Sequence, residues 1–214
     1  MAATERHGGV MVDPGTDRST AARPPRERLL DAGLELFGTV GYEGTTIQAL
    51  CREARVSTRD FYRHSGQRLD LFRDVFDREA LYVKESIVAA LAEAPLLWLV
   101  RAALWTRSWV GNMLQDPRRY RVLYREAIGV SAELDRLRSD FFRWSSDLTA
   151  QQLSLCARFR GDERPGSCYE MPGVVIPAAA REILMQYMEG NLDLNGSAAL
   201  TDALVHLCAV TGEW

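Results

Sequence analysis

Lysine is almost missing from this chain of 214 residues: a single Lys stands beside 25 Arg, and there are three His. His7, His64 and His206 lie far apart in the sequence. None has a carboxylate–His spacing suited to a metal, and no nucleophile elbow or Gly-rich phosphate loop accompanies them. Enzyme chemistry is therefore not expected, nor is a cofactor or a metal. Paired cysteines are missing too. Cys51, Cys156, Cys168 and Cys208 are scattered without CxxC spacing, the pattern of free thiols in a cytoplasmic protein. Cys168 has acids nearby, which disfavours a reactive thiolate. Long apolar runs are absent as well. The longest, near residues 95–100, is broken by Arg101 and Arg107, so no membrane span is expected. Residues 1–22 have neither helical periodicity nor a run of signal-peptide length, and read as a disordered tail. Strand-like alternation of useful length is missing after about residue 78.

A strong positive field is also lacking. The net charge is −3. Residues 23–78 hold ten Arg against nine acids, and residues 79–214 hold fourteen bases against seventeen acids. A nucleic-acid partner would have to be held by a few well-placed Arg side chains rather than by bulk charge.

What is present is concentrated between Thr45 and Arg68, in the run TTIQALCREARVSTRDFYRHSGQR. Ile47, Leu50, Ala54, Val56 and Phe61 are spaced so that two short helices crossing steeply share one small core. Thr45 or Thr46 is placed to cap the first helix, and Ser57 to cap the second, which should run from about Thr58 to His64. Cys51 is small enough for close approach of the two. Arg55 falls in the turn, where a left-handed backbone is usual, and should cost about 1 kcal/mol there. The second helix exposes Thr58, Arg59, Asp60, Tyr62, Arg63 and His64. Arg reads guanine in bidentate fashion, Thr meets a thymine methyl or a phosphate, and Tyr and His suit phosphates. Asp60 either accepts from a cytosine amino group or pairs with Arg59 or Arg63. The segment thus reads as a helix-turn-helix that enters a major groove, or more plainly as a helical hairpin with a solvated polar face.

The flanks narrow this. Leu29, Leu30, Leu36 and Phe37 mark a helix upstream, with Gly41 as its C-cap and Tyr42 packing back. Leu71, Phe72, Val75 and Phe76 continue a helix downstream from Arg68. The Leu30–Phe37 helix, GYEGTT at Gly41–Thr46, REARVS at Arg52–Ser57 and FYRHSGQRLDLF at Phe61–Phe72 together resemble the TetR family of bacterial transcriptional regulators. The resemblance is close over about residues 25–76 and architectural beyond. It implies that Thr46, Tyr62, His64 and Arg68 contact phosphates and that Thr58 and Arg59 reach base edges, with Arg63 on the same face. Three departures stand out: Arg55 for a usual turn Gly, Cys51 for a usual Ala, and Ser65 for a usual Phe, which removes an apolar plug behind the reading helix.

The remainder reads as helical throughout. One long helix should link the two parts from Arg68 to Glu93, ended by Pro95. Leu96 to Gln115 is apolar on nearly all sides and should be buried in a bundle. Asp116-Pro117 opens a helix to about Gly129. Ser131 caps a long one, with Leu134, Leu137, Phe141, Trp144, Leu148 and Leu155 as its core stripe. Residues 160–173 read as a loop. Two terminal helices follow, over Val174–Glu189 and Ala198–Thr211. Their apolar faces, with Ala180, Ile183, Leu184 and Tyr187 on one and Leu200, Leu204 and Leu207 on the other, suit either a four-helix interface with a second copy or closure of the monomer core. Trp98, Trp105, Trp109, Met113, Tyr124, Phe142 and Trp144 are candidates to line a cavity for an apolar or aromatic effector. Arg101, Arg107 and Arg121 are candidate polar anchors or plain surface charges.

The expected fold is all-α. An N-terminal three-helix DNA-binding domain with a helix-turn-helix (residues 23–68, after the tail 1–22) precedes a helical ligand-binding and dimerisation bundle (residues 69–214). The expected function is a cytoplasmic transcriptional regulator. It would repress by binding a palindromic double-stranded DNA operator as a homodimer, and a small-molecule effector would release it. A ligand-binding or protein-interaction helical module that does not bind DNA is the rival.

Overall fold

A computed structural model of the chain describes residues 23–162 and 164–212, with side chains to residue 210. The proposed tail at 1–22 and His7 lie outside the described residues. Every regular element among the described residues is helical, without a strand. In chain order the elements are α1 (Pro25–Thr39), α2 (Ile47–Ala54), α3 (Thr58–Ser65), α4 (Arg68–Ala92), α5 (Trp98–Gln115), α6 (Pro117–Arg121), α7 (Ala132–Phe159), α8 (Glu170–Met188) and α9 (Gly196–Gly212). A π-helical turn, Val122–Glu126, extends α6, and a 3₁₀ turn, Gly166–Tyr169, leads into α8.

Local chemistry sets the first boundaries. Pro occupies the first turn of α1, where a missing N–H costs nothing. Past its end, Gly41 takes φ 93° and its N–H donates to the Leu36 carbonyl at 3.2 Å. That geometry turns the chain back and lays the Tyr42 ring 5.1 Å from Phe72 and 5.9 Å from Phe37. Leu29, Phe37, Leu50, Phe61, Leu71, Phe72 and Val75 are buried together as the core of the head.

Leu71, Phe72 and Val75 belong to α4, so the first turns of that helix are part of the head. The expected boundary at residue 68 thus separates residues that pack in one core. A Cβ on Gly33 would meet Val75 Cγ2 at 2.7 Å, which shows how closely α1 and α4 approach. The rest of α4 runs into the body, where Val83 and Ile87 are buried. With 25 residues, α4 is a continuous rod of roughly 37 Å between the two parts.

Other expectations are corrected. The helix at residues 98–115 is not buried on all sides: Leu99 and Val100 near its start are 47% and 37% exposed, and Leu97 before it is exposed too. Its buried side carries Trp98, Trp105, Trp109 and Met113. The segment 160–173 is not all loop. A helix tolerates Pro in its first turn, so α8 begins at Glu170 and takes in Pro172. Gly173 then allows α8 to touch α7, since a Cβ there would lie 2.7 Å from Ala150 Cβ and 2.9 Å from the Ser146 carbonyl. In α7 the buried stripe leaves the expected register after Phe141 and passes through Leu153 and Cys156 instead of Leu155.

Candidate functional site

The head presents its second and third helices as a helix-turn-helix. The Thr46 hydroxyl accepts from the Ala49 N–H at 3.1 Å and caps α2. Thr45, by contrast, is buried and donates to the Gly41 carbonyl at 2.6 Å. The turn does adopt the left-handed backbone, with Arg55 at φ 52° and ψ 47°. It is held by a residue the sequence did not single out. Arg28 of α1 donates to the carbonyls of Ala54 at 3.0 Å and Arg55 at 2.9 Å, satisfying the end of α2. Ser57 then caps α3 by accepting from the Asp60 N–H at 3.0 Å.

On α3, Thr58, Arg59, Tyr62 and Arg63 are exposed, Tyr62 by 55%. Phe61 is fully buried and anchors the helix beneath them. Arg59 makes no hydrogen bond or ion pair among the described residues. Asp60 takes the second of its two expected roles. Its carboxylate accepts from the Ser57 hydroxyl at 2.6 Å and pairs with Arg63 at 3.1 Å. The Ser57 hydroxyl, helped by Arg63, holds the Asp60 carboxyl below the usual carboxylate range. His64 is half-buried, and Ser65 is buried where the apolar plug was expected.

Arg68 is placed differently from its expected role. It donates to the Thr45 carbonyl at 2.7 Å and its guanidinium lies 4.2 Å above the Tyr42 ring. It braces the Gly41–Thr46 turn, and with it the α2 cap. Of the seven expected DNA-facing residues, Thr46, Thr58, Arg59, Tyr62 and Arg63 are exposed, and His64 and Arg68 are half-buried.

The head is seated on the body by charge and by close backbone approach. A Cβ on Gly38 would clash with the Cα and Cβ of Arg118, so α1 and α6 touch almost backbone to backbone. Arg118 pairs with Glu35 of α1 and with Asp116. Arg121 donates to the Thr39 carbonyl at 2.5 Å, and Glu126 accepts from the Tyr42 N–H at 2.9 Å. The buried Glu79 carboxylate joins Arg78 at 2.9 Å and Arg119 at 2.8 Å, while Arg78 also reaches Asp31 of α1 at 2.8 Å. Arg121 thereby belongs to this seam and not to a ligand site.

The body encloses an aromatic cavity of about 160 Å³ between α4, α5, α7 and α8, extended by the π-helical turn. Five of the expected residues line it: Trp105, Trp109, Tyr124, Phe142 and Trp144. Trp98 and Met113 do not. The Trp98 indole donates to the Cys208 carbonyl at 2.9 Å in a separate small core, and Met113 is wholly buried in packing. Further walls come from Val83, Ile87, Phe141, Ser145, Ser146, Val174, Pro177, Ala178 and Arg181. The Trp109 indole donates to the Tyr124 hydroxyl at 2.9 Å, and burial keeps that phenol protonated well past the usual range. Neither Arg101 nor Arg107 lines the cavity. Arg101 instead donates to Gln152 at 2.6 Å and to the Leu91 and Ala94 carbonyls at the end of α4. The charged side chain lining the cavity is Arg181, whose guanidinium lies 4.6 Å from the Phe142 ring. An Arg directly after three alanines on a mostly apolar helix was the available signal for it.

The expected dimer residues divide into two groups. Ala180, Leu184, Leu200 and Leu204 have no exposed surface at all: they close the protomer's own core, where α9 packs on α5 and α8, and a second copy has nothing of them to cover. Ile183, Tyr187 and Leu207 are half-buried.

Residues 29–75 match the model for bacterial regulatory proteins of the tetR family. The head therefore carries the DNA-binding domain of the tetR family. The match covers the head and stops within α4, where the head's core ends. Solved structures of similar shape extend over the body. A TetR-like transcriptional regulator from Rhodococcus sp. RHA1 aligns with a TM-score of 0.68 at 21% identity, over 86% of this chain and 93% of its own. The fatty acid degradation regulator FadR from Bacillus halodurans gives 0.73 at 13% identity, over 89% and 96%. FadR from Bacillus subtilis, solved in complex with stearoyl-CoA, gives 0.71 at 13% identity, over 87% and 97%. At such identities the likeness is one of fold. No curated protein sequence matches the chain. The TetR head makes this protein a DNA-binding transcriptional regulator rather than an enzyme. No helix among the described residues is long and apolar enough to cross a membrane.

Proposed function

We propose that this protein is a homodimeric repressor that occludes a palindromic operator and is released by a small molecule bound in the aromatic cavity. The observation that carries this reading is the path of α4. One continuous helix contributes Leu71, Phe72 and Val75 to the DNA-reading head, and Val83 and Ile87 to the cavity wall. A ligand that displaces Val83 or Ile87 acts on the same rigid element that carries α3. Release follows if the ligand favours a head spacing that no longer fits successive major grooves.

Assembly is supported by apolar surface at the far end of the body. Val174 and Val175 on α8 are 55% and 44% exposed, and Val210 on α9 is 63% exposed. These helix ends meet over the small core of Trp98, Ile176 and Cys208. Exposed apolar side chains gathered in this way mark an interface, and a two-fold copy would present two reading heads to a palindrome. The interface proposed here therefore uses the outer sides of α8 and α9, not the inner leucines.

The deciding experiment is gel retardation of the DNA upstream of the protein's own gene, with mass measured in solution alongside. Sequence-specific retardation by a dimer is expected. Retardation no stronger than on random DNA would favour a ligand-binding module without DNA recognition. A monomer at micromolar concentration would remove the palindromic operator.

A further inference from the structure

The chemistry of the cavity walls narrows the class of ligand, an inference that rests on the effector-pocket reading above. Trp105, Trp109, Tyr124, Phe141, Phe142 and Trp144 form most of the lining. A dry apolar cavity of about 150 Å³ accommodates a benzene ring, and this one measures about 160 Å³. It therefore has room for one ring.

The cavity is not uniformly apolar. Arg181 lines it and makes no hydrogen bond or ion pair among the described residues; its guanidinium lies against the face of Phe142. The Trp105 indole N–H is buried and has no acceptor there either. Tyr124 accepts from Trp109, and its own hydroxyl proton is not committed to any described acceptor. The chain's single lysine, Lys84, lies 5.4 Å from the Trp144 ring and 5.7 Å from Phe141, two of the lining rings. All these groups donate hydrogen bonds or carry positive charge. The lining contains no carboxylate. A buried donor without an acceptor is costly, and a guanidinium fork matches a carboxylate in geometry.

We propose that the cavity binds a single-ring aromatic carboxylate, with its ring among the tryptophans and Tyr124 and its carboxylate on the Arg181 guanidinium.

The test titrates full-length protein by tryptophan fluorescence with benzoate and phenylacetate, and with the neutral rings benzamide and toluene. Operator retardation is followed in parallel. At least one of the two anions should bind about tenfold or more tightly than benzamide, the worth of one charge-assisted hydrogen bond. Arg181→Gln should erase that preference while toluene still binds, and Arg181→Lys should recover part of it. Binding of toluene with no advantage for either anion, or an anion preference that survives Arg181→Gln, would overturn the carboxylate assignment and leave the pocket standing. Absence of binding by all four compounds would overturn both. Anion binding that depends on Arg181 but leaves the operator complex intact would support the ligand class and count against release as its consequence.

Discussion

The head and the body of this protein build their candidate sites in opposite ways. The head turns its recognition outward. Thr58, Arg59 and Tyr62 stand on the exposed side of an eight-residue helix whose buried side is little more than Phe61. Because so small a helix cannot be stable alone, its placement depends on caps and braces: Ser57, Arg28 on the turn carbonyls, and Arg68 on Tyr42. The body turns its candidate site inward. The tryptophans and tyrosine of its cavity come from α5, α7 and the π-helical turn, and meet only because those elements pack. An outward site can be read from the periodicity of one short segment. An inward one is a property of packing, and two residues of the same type on the same helix, Trp98 and Trp105, end up in different places.

The seam between the two regions is where the largest effect is expected. Glu79 is buried with its carboxylate shared by Arg78 and Arg119. Glu79→Ala leaves two guanidinium groups facing each other and should cost about 3–5 kcal/mol. Denaturant melts would check it, and a loss below about 1 kcal/mol would mean that the head is held by other contacts.

Next comes the approach of α1 to α6. Gly38→Ala should force these helices apart and cost about 1–3 kcal/mol. If head and body are coupled through this contact, ligand-induced release should weaken even where the protein remains folded. Retardation assays with and without ligand would show unchanged release if α4 alone carries the coupling.

A third change separates the two kinds of Arg in the head. Arg59→Ala should cost about 1–3 kcal/mol on the true operator and relax the preference at one base pair. Arg68→Ala should instead lower the melting temperature of the free protein and weaken all DNA sequences together, because it loosens the turn behind Thr46. Equal losses for Arg59→Ala on operator and random DNA would remove it from base reading.

Two smaller effects test the turn. Arg55→Gly should stabilise the protein by roughly 0.5–1 kcal/mol, since glycine adopts the left-handed backbone without strain; a loss would show that the Arg55 side chain contributes more than its backbone costs. Asp60 has a depressed carboxyl, so its contribution is present above the unfolded value near 4 and disappears as the pH falls through the folded value. Asp60→Asn should therefore remove a small stabilisation at neutral pH, leave stability well below the folded value unchanged, and so flatten the acid limb of the stability profile below about pH 4.

The sequence by itself determined the head. The caps at Thr46 and Ser57, the left-handed turn at Arg55, the return of Tyr42 and the exposed face of α3 are local consequences of residue type and spacing within a few turns, and each was legible without the rest of the chain. It also determined that the body is helical and aromatic. Tertiary structure decided which side chains serve the site. Helical periodicity identifies an apolar face but not what covers it, so Leu184 and Leu204 read equally as interface or core until α9 packed on α5 and α8. Arg68 reads as a phosphate contact, and Arg121 as a ligand anchor or surface charge, until Tyr42 and Thr39 come within reach. Arg181 acquires a role only because Gly173 lets α8 lie against α7, close enough for its guanidinium to meet Phe142 and the cavity. Contacts between residues far apart in sequence depend on the relative placement of whole helices, and local pattern carries no record of that placement.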